Sequence, residues 1–129
     1  MAARSDRSHS WELFKTALLT DFVDIQGGTT REGIHLGAMA GCVDLVQRGY
    51  TGLESRGDIL RFNPEFPEEL DGISMHVRYR GHWLKVDIGS DKLSVRSLSG
   101  GARPIKIQAG DSLLDLKENE SLTVKFANA

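Results

Sequence analysis

The chain has 129 residues, and its 16 basic and 18 acidic side chains leave a formal net charge of −2. That length suits one ordinary domain or a small domain with an appendage, and the near-neutral balance excludes a dedicated nucleic-acid binder built on a basic stripe. No apolar run approaches the roughly 18 residues that cross a bilayer, residues 1–10 are polar and lack the core of a signal peptide, and the lone Cys42 permits no intrachain disulfide, so the expected setting is reducing and cytoplasmic.

The first ten residues, MAARSDRSHS, read as a frayed terminus. From Ser10 to about Phe22 the spacing is helical: Trp11, Phe14, Ala17, Leu18 and Phe22 form one apolar stripe, with Ser10 placed as its N-cap. Gly27 and Gly28 end that helix. A second helix is predicted to begin at Thr29, where Thr29 and Glu32 have capping-box spacing. Ile34, Ala38, Cys42, Leu45 and Val46 line one of its sides. Gly37, Ala40 and Gly41 keep another side thin, which predicts close packing on at least two neighbours. Gly49 is the expected stop.

Residues 51–58 read as a turn-rich connector, followed by a bend at Asn63-Pro64 and Phe66-Pro67. Beyond Asp71 the period becomes two. Ile73, Met75, Val77 and Tyr79 alternate with polar residues, and Leu84, Val86 and Ile88 alternate with Trp83, Lys85 and Asp87. Shorter runs follow around Leu93, Ile105 and Val124, with glycines or Asn119 between them. About six short strands of this kind predict a small antiparallel β-sandwich. The fold class is therefore α+β, a short helical segment over residues 1–50 followed by a sandwich over residues 58–129. The sandwich has apolar residues enough for its own core, whereas two amphipathic helices need further partners.

A glycine loop that opens a helix offers unpaired N–H groups and the positive end of the dipole, an anion cradle. Thr29 and Thr30 add hydroxyls, and His35 adds a ring nitrogen. The same residues also admit a simpler reading, in which the glycines only turn the chain and His35 is a satisfied polar residue. The spacing is neither that of a P-loop nor that of a dinucleotide fingerprint. Glu32 is explained by capping rather than acid catalysis. Cys42 lies on an apolar face, and no His, Cys or carboxylate cluster has metal spacing. No catalytic residue is assigned. In Arg78-Tyr79-Arg80-Gly81-His82-Trp83, alternation points Tyr79 inward and the arginines outward, as at a solvated hairpin corner, although the mixture of basic and aromatic groups would also suit stacking on a sugar or base.

Three stretches, Asp24 to Gly41 (DIQGGTTREGIHLGAMAG), Asp44 to Leu53 (DLVQRGYTGL) and Val77 to Leu84 (VRYRGHWL), resemble the C-terminal part of glycoside hydrolase family 65. That family includes trehalose, maltose and kojibiose phosphorylases. The resemblance implies a much longer parent with an N-terminal sandwich, an (α/α)6 barrel and a C-terminal sandwich. Residues 1–50 would match the last barrel helices. It implies inverting phosphorolysis of an α-glucosyl disaccharide to β-glucose 1-phosphate and glucose. Inorganic phosphate is the co-substrate, there is no other cofactor, and a barrel glutamate acts as the acid. It also implies that His35, Gly33, Thr29 and Thr30 border the phosphate site. The barrel segment that would bear the glutamate has no counterpart here, so the expectation is a fragment inactive alone. Its implied partners are the disaccharide and phosphate in the intact enzyme, together with the missing barrel segment or a second copy, and neither nucleic acid nor membrane. The alternatives are a stand-alone sandwich that binds carbohydrate or a protein, and a fragment of a family 65 hydrolase.

Overall fold

The computed structural model describes residues 4–20, 23, 33–98 and 101–126. Helix α1 spans Arg4–Leu19 and helix α2 spans Leu36–Asp44, running directly into a π-helical segment, Leu45–Tyr50. Eight strands follow: β1 Glu54–Arg56, β2 Ile59–Phe62, β3 Gly72–Tyr79, β4 His82–Gly89, β5 Lys92–Ser97, β6 Ile105–Ala109, β7 Ser112–Leu116 and β8 Ser121–Lys125. They form two four-stranded sheets, in the orders β1-β2-β6-β7 and β3-β4-β5-β8. The α+β class and the small sandwich are as the sequence predicts.

The sandwich core follows from period-two alternation. Leu84, Val86 and Ile88 of β4 face Leu93 and Val95 of β5, and they meet Leu60, Phe62, Ile105 and Ile107 from the other sheet. Turn chemistry sets the register. Arg80 (φ 48) and Gly81 (φ 89) both lie in the left-handed region, the geometry of a two-residue type I′ hairpin, and join β3 to β4. Gly52 (φ 62) lies where a Cβ would run into the backbone of Asn63, so only glycine lets the chain enter β1 there.

Several expectations need correction. The first helix begins at Arg4 rather than at Ser10, so Ser10 is inside it, with Oγ 3.4 Å from the Tyr50 hydroxyl. Arg7, reaching Glu65 at 2.5 Å, ties the helix to the loop after β2, and this anchor between distant residues gives no local sequence signal. Leu18 is exposed, while Trp11, Phe14 and Ala17 turn toward Tyr50. Residues 33–35 are not helical, so the second helix starts at Leu36 rather than Thr29. It does not stop at Gly49, because the wider π turn carries the chain on to Tyr50, which is fully buried. Residues 51–58, read as connector, hold β1. That edge strand is exposed throughout and so carries no alternation. Finally, β2 pairs with β6 in parallel, the one parallel pair in the two sheets. The chain builds three strands of the opposite sheet between them, a crossover long enough to permit parallel pairing.

Candidate functional site

The anion cradle expected at the second helix has its described part in Gly33, Ile34 and His35. Thr29 and Thr30, like Gly27, Gly28 and Glu32, lie outside the described residues. Gly33 takes φ 115, a conformation that side chains resist. His35 occupies the N-cap position of α2 with φ −81 and ψ 84, and its side chain makes no capping bond. It therefore sits at the mouth of the helix rather than within a helix that begins at Thr29. The Leu36 N–H donates to the Ile34 carbonyl, and the Met39 N–H to the His35 carbonyl. Among the described residues the first-turn amides of Gly37 and Ala38 have no backbone acceptor. Helix α2 ends without a basic residue and starts without an acidic one, so nothing in its first turn opposes an anion.

Among the described residues the helical pair around this opening is incompletely covered. A groove of about 480 Å³ runs between α1 and α2, lined by Leu13, Phe14, Ala17, Ala38, Cys42 and Leu45 among others. Leu36, Ile34, Val43 and Leu13 are 73%, 67%, 64% and 58% exposed. A methyl group placed on Gly37 or Gly41 would meet nothing within 4 Å. Among the described residues the thin side of α2 thus faces open space, and α1 is the one helix that packs on it.

At the hairpin corner Arg78 and Arg80 are exposed, as alternation predicts. Tyr79 points inward, as alternation predicts, and its hydroxyl donates to the carbonyls of Gly57 (2.6 Å) and Ile59 (3.2 Å). Burial pushes the Tyr79 phenol pKa up; nearby Arg80 lowers it and Asp58 raises it. Arg80 also donates to the Gly57 carbonyl, at 3.0 Å. Arg78 lies 5.9 Å from the Trp83 ring centre, and the His76 ring stacks on Trp83 at 5.7 Å. Sequence reasoning missed His82. It is fully buried, with Nδ1 2.9 Å from the Ser97 hydroxyl and Nε2 2.9 Å from the Arg103 carbonyl. That carbonyl can only accept, so Nε2 bears a proton, and the ring pins the β4–β5 sheet to the segment before β6. Both its nitrogens are occupied away from solvent, so it is a structural clasp. Its inward position at the first residue of β4 follows from the same alternation that buries Leu84.

Residues 53–116 match the family described as glycosyl hydrolase family 65, C-terminal domain. An uncharacterised glycosyl hydrolase of Mycobacterium tuberculosis is 41% identical over 95% of this chain, which covers 9% of that protein. A kojibiose phosphorylase of Caldanaerobacter subterraneus is 30% identical over 74% of the chain and 12% of its own length. A 1,2-alpha-glucosylglycerol phosphorylase of Bacillus selenitireducens is 25% identical over 83% of the chain and 15% of its own length. A solved structure, described as a putative kojibiose phosphorylase from human microbiome, superposes with a TM-score of 0.76 at 21% identity, over 92% of this chain and 17% of that one. The chain thus spans between 9% and 17% of the length of these four proteins.

Proposed function

The chain belongs to glycosyl hydrolase family 65 as its C-terminal domain, and from that premise we propose that it is the closing segment of a disaccharide phosphorylase, without activity on its own. In such an enzyme inorganic phosphate attacks the anomeric carbon of an α-glucoside with inversion, while an acid from the barrel protonates the departing sugar. This chain supplies neither that acid nor most of a sugar pocket. Its own part is to complete the helical wall and to present an anion-holding helix mouth.

The observation that carries the reading is the uncovered helical pair. The groove between α1 and α2, the exposed Leu13, Ile34, Leu36 and Val43, and the open Gly37 and Gly41 positions suit an apolar helical partner. The missing barrel segment is the proposed occupant. The phosphate role assigned to Gly33 and His35, with Thr29 and Thr30 upstream, draws on the opening of α2, where His35 is the N-cap residue at the dipole's positive end.

Co-expression with a family 65 phosphorylase lacking its corresponding C-terminal part tests the proposal. The chain alone should not phosphorolyse kojibiose, trehalose or maltose, and the mixture should regain phosphate-dependent turnover. Within that mixture, His35→Ala should raise the KM for phosphate about tenfold or more, the scale of one lost charge-assisted hydrogen bond, while disaccharide binding is kept. Turnover by the isolated chain would remove the inactive-segment reading. Phosphate-independent release of glucose by the mixture would point to a hydrolase instead. A discrete dimer of the chain that resists the barrel would assign the groove to a second copy.

A further inference from the structure

The outer face of the β3-β4-β5-β8 sheet is strongly basic, although the chain carries a net charge of −2. Alternation turns Arg78, Lys85, Lys92, Arg96 and Lys125 outward, against a single outward carboxylate, Asp87. Asp87 is already engaged, accepting from the Ser74 hydroxyl at 2.6 Å and lying 3.7 Å from the Lys85 ammonium. The register places Lys85 directly opposite Arg96, and Lys92 directly opposite Lys125. Like charges in directly opposed positions weaken a sheet. Among the described residues Arg96, Lys92 and Lys125 have no carboxylate within ion-pair distance to relieve them.

The cations fall in three rows along the strands, at Arg78, at Lys85 and Arg96, and at Lys92 and Lys125. At the strand rise per residue these rows span about 20 Å, so the face fits an extended polyanion better than a single small ion. Trp83 stands beside the first row, 42% exposed, its orientation fixed by the His76 ring and the Arg78 guanidinium. Outward hydroxyls of Ser94, Thr123 and Ser121 lie between the cations. A sugar ring can lie on an indole and hydrogen-bond to such hydroxyls, while sulfate or phosphate groups meet the ammonium and guanidinium groups. Single-stranded nucleic acid would call for successive stacking platforms, and this face has one aromatic side chain beside His76.

We propose that this sheet face binds an extended anionic glycan, a sugar chain bearing sulfate or phosphate groups, through the Lys85–Arg96 and Lys92–Lys125 pairs, with Trp83 as the stacking end. The charge of this face is independent of phosphorolysis, and only the choice of a carbohydrate rests on the family reading. The face is remote in sequence from the helix mouth and needs no barrel.

The test is calorimetric titration of the full 129-residue chain with a sulfated α-glucan oligosaccharide, its unsulfated counterpart, an oligothymidylate and an oligoglutamate of matched charge. Expected are salt-sensitive binding of the sulfated glucan, much weaker binding of the neutral one, and a loss of about tenfold or more in the Arg96→Glu, Lys125→Glu double variant, the scale of one charge-assisted hydrogen bond. That variant turns both like-charge pairs into opposite-charge pairs, so its melting temperature should hold or rise while binding falls. Misfolding therefore cannot mimic the result. Trp83→Ala should weaken the sulfated glucan and leave oligoglutamate unchanged. Absent binding, indifference to the double reversal, or equal affinity for the oligothymidylate or oligoglutamate would overturn the proposal. Each of these is read on the isolated chain, so failure here leaves the barrel-complementation result untouched.

Discussion

Tyr79 shows how one side chain links sheet geometry to solution behaviour. Its hydroxyl closes the β3–β4 hairpin onto the turn between β1 and β2, and so bridges the two sheets. Tyr79→Phe keeps the ring and removes both bonds, which should cost about 1 kcal/mol at neutral pH. The phenol pKa is raised in the folded chain, chiefly by burial. The folded state therefore holds the proton more tightly than the unfolded state, whose value is about 10. Stability from this group is complete below about pH 10 and is lost as pH rises through the folded value. Denaturant titrations of both proteins at pH 8 and above pH 10 should show the gap between wild type and variant narrowing in alkali. A gap that stays constant would mean that the phenol does not titrate differently on folding.

At the scale of elements, the helices depend on a small aromatic cluster. Trp11 and Phe14 stack at 5.3 Å, Phe14 meets Tyr50 edge-on at 6.0 Å, and Phe66, Leu70 and Ile73 pack alongside. Helices of 16 and 9 residues are marginal by themselves in water. Truncating a buried phenylalanine removes about 3–5 kcal/mol, more than such a cluster can spare. Phe14→Ala should therefore abolish most of the helical circular dichroism while the strand signal and sandwich melting persist. Cooperative loss of both signals would show the two parts to be one folding unit. The sequence revealed these elements unevenly. The strands with one buried face, β3, β4 and β5, were legible because each residue's burial alternates with its neighbour's. Strand β1 was illegible, since an edge strand exposed on both sides has no pattern to read. The start of α2 was misplaced because capping residues and glycines describe what a chain can do locally, whereas His35 becomes the N-cap through the geometry of the whole turn. The α1 stripe was correct at Trp11, Phe14 and Ala17 and wrong at Leu18, which is exposed, while Phe22 lies outside the described residues.

Among the described residues the apolar side chains divide into two clusters, a sandwich core and the aromatic cluster, with Phe66 packed against both. The sandwich core contains twelve buried residues and the helical one three, Phe14, Cys42 and Tyr50. Buried apolar area sets the stabilising term, so the two parts should not melt together unless Phe66, Leu70 and Ile73, the Arg7–Glu65 ion pair, the Ser10–Tyr50 contact and the bond from the Glu65 N–H to the Tyr50 carbonyl couple them strongly. The three apolar side chains among these links are only partly buried, and a part-exposed ion pair adds little. The chain's two tryptophans report separately, Trp11 in the helical cluster and Trp83 on the outer sheet. Trp83→Phe leaves a fluorophore that follows the helices, and Trp11→Phe leaves one that follows the sandwich. Thermal unfolding of this pair should give a lower midpoint for Trp11 than for Trp83, and adding the barrel portion of a family 65 enzyme should raise the Trp11 midpoint selectively by mass action. Coincident midpoints in the isolated chain would mean that the helices are already supported from within, and the open groove would then lose its standing as a surface waiting for a partner.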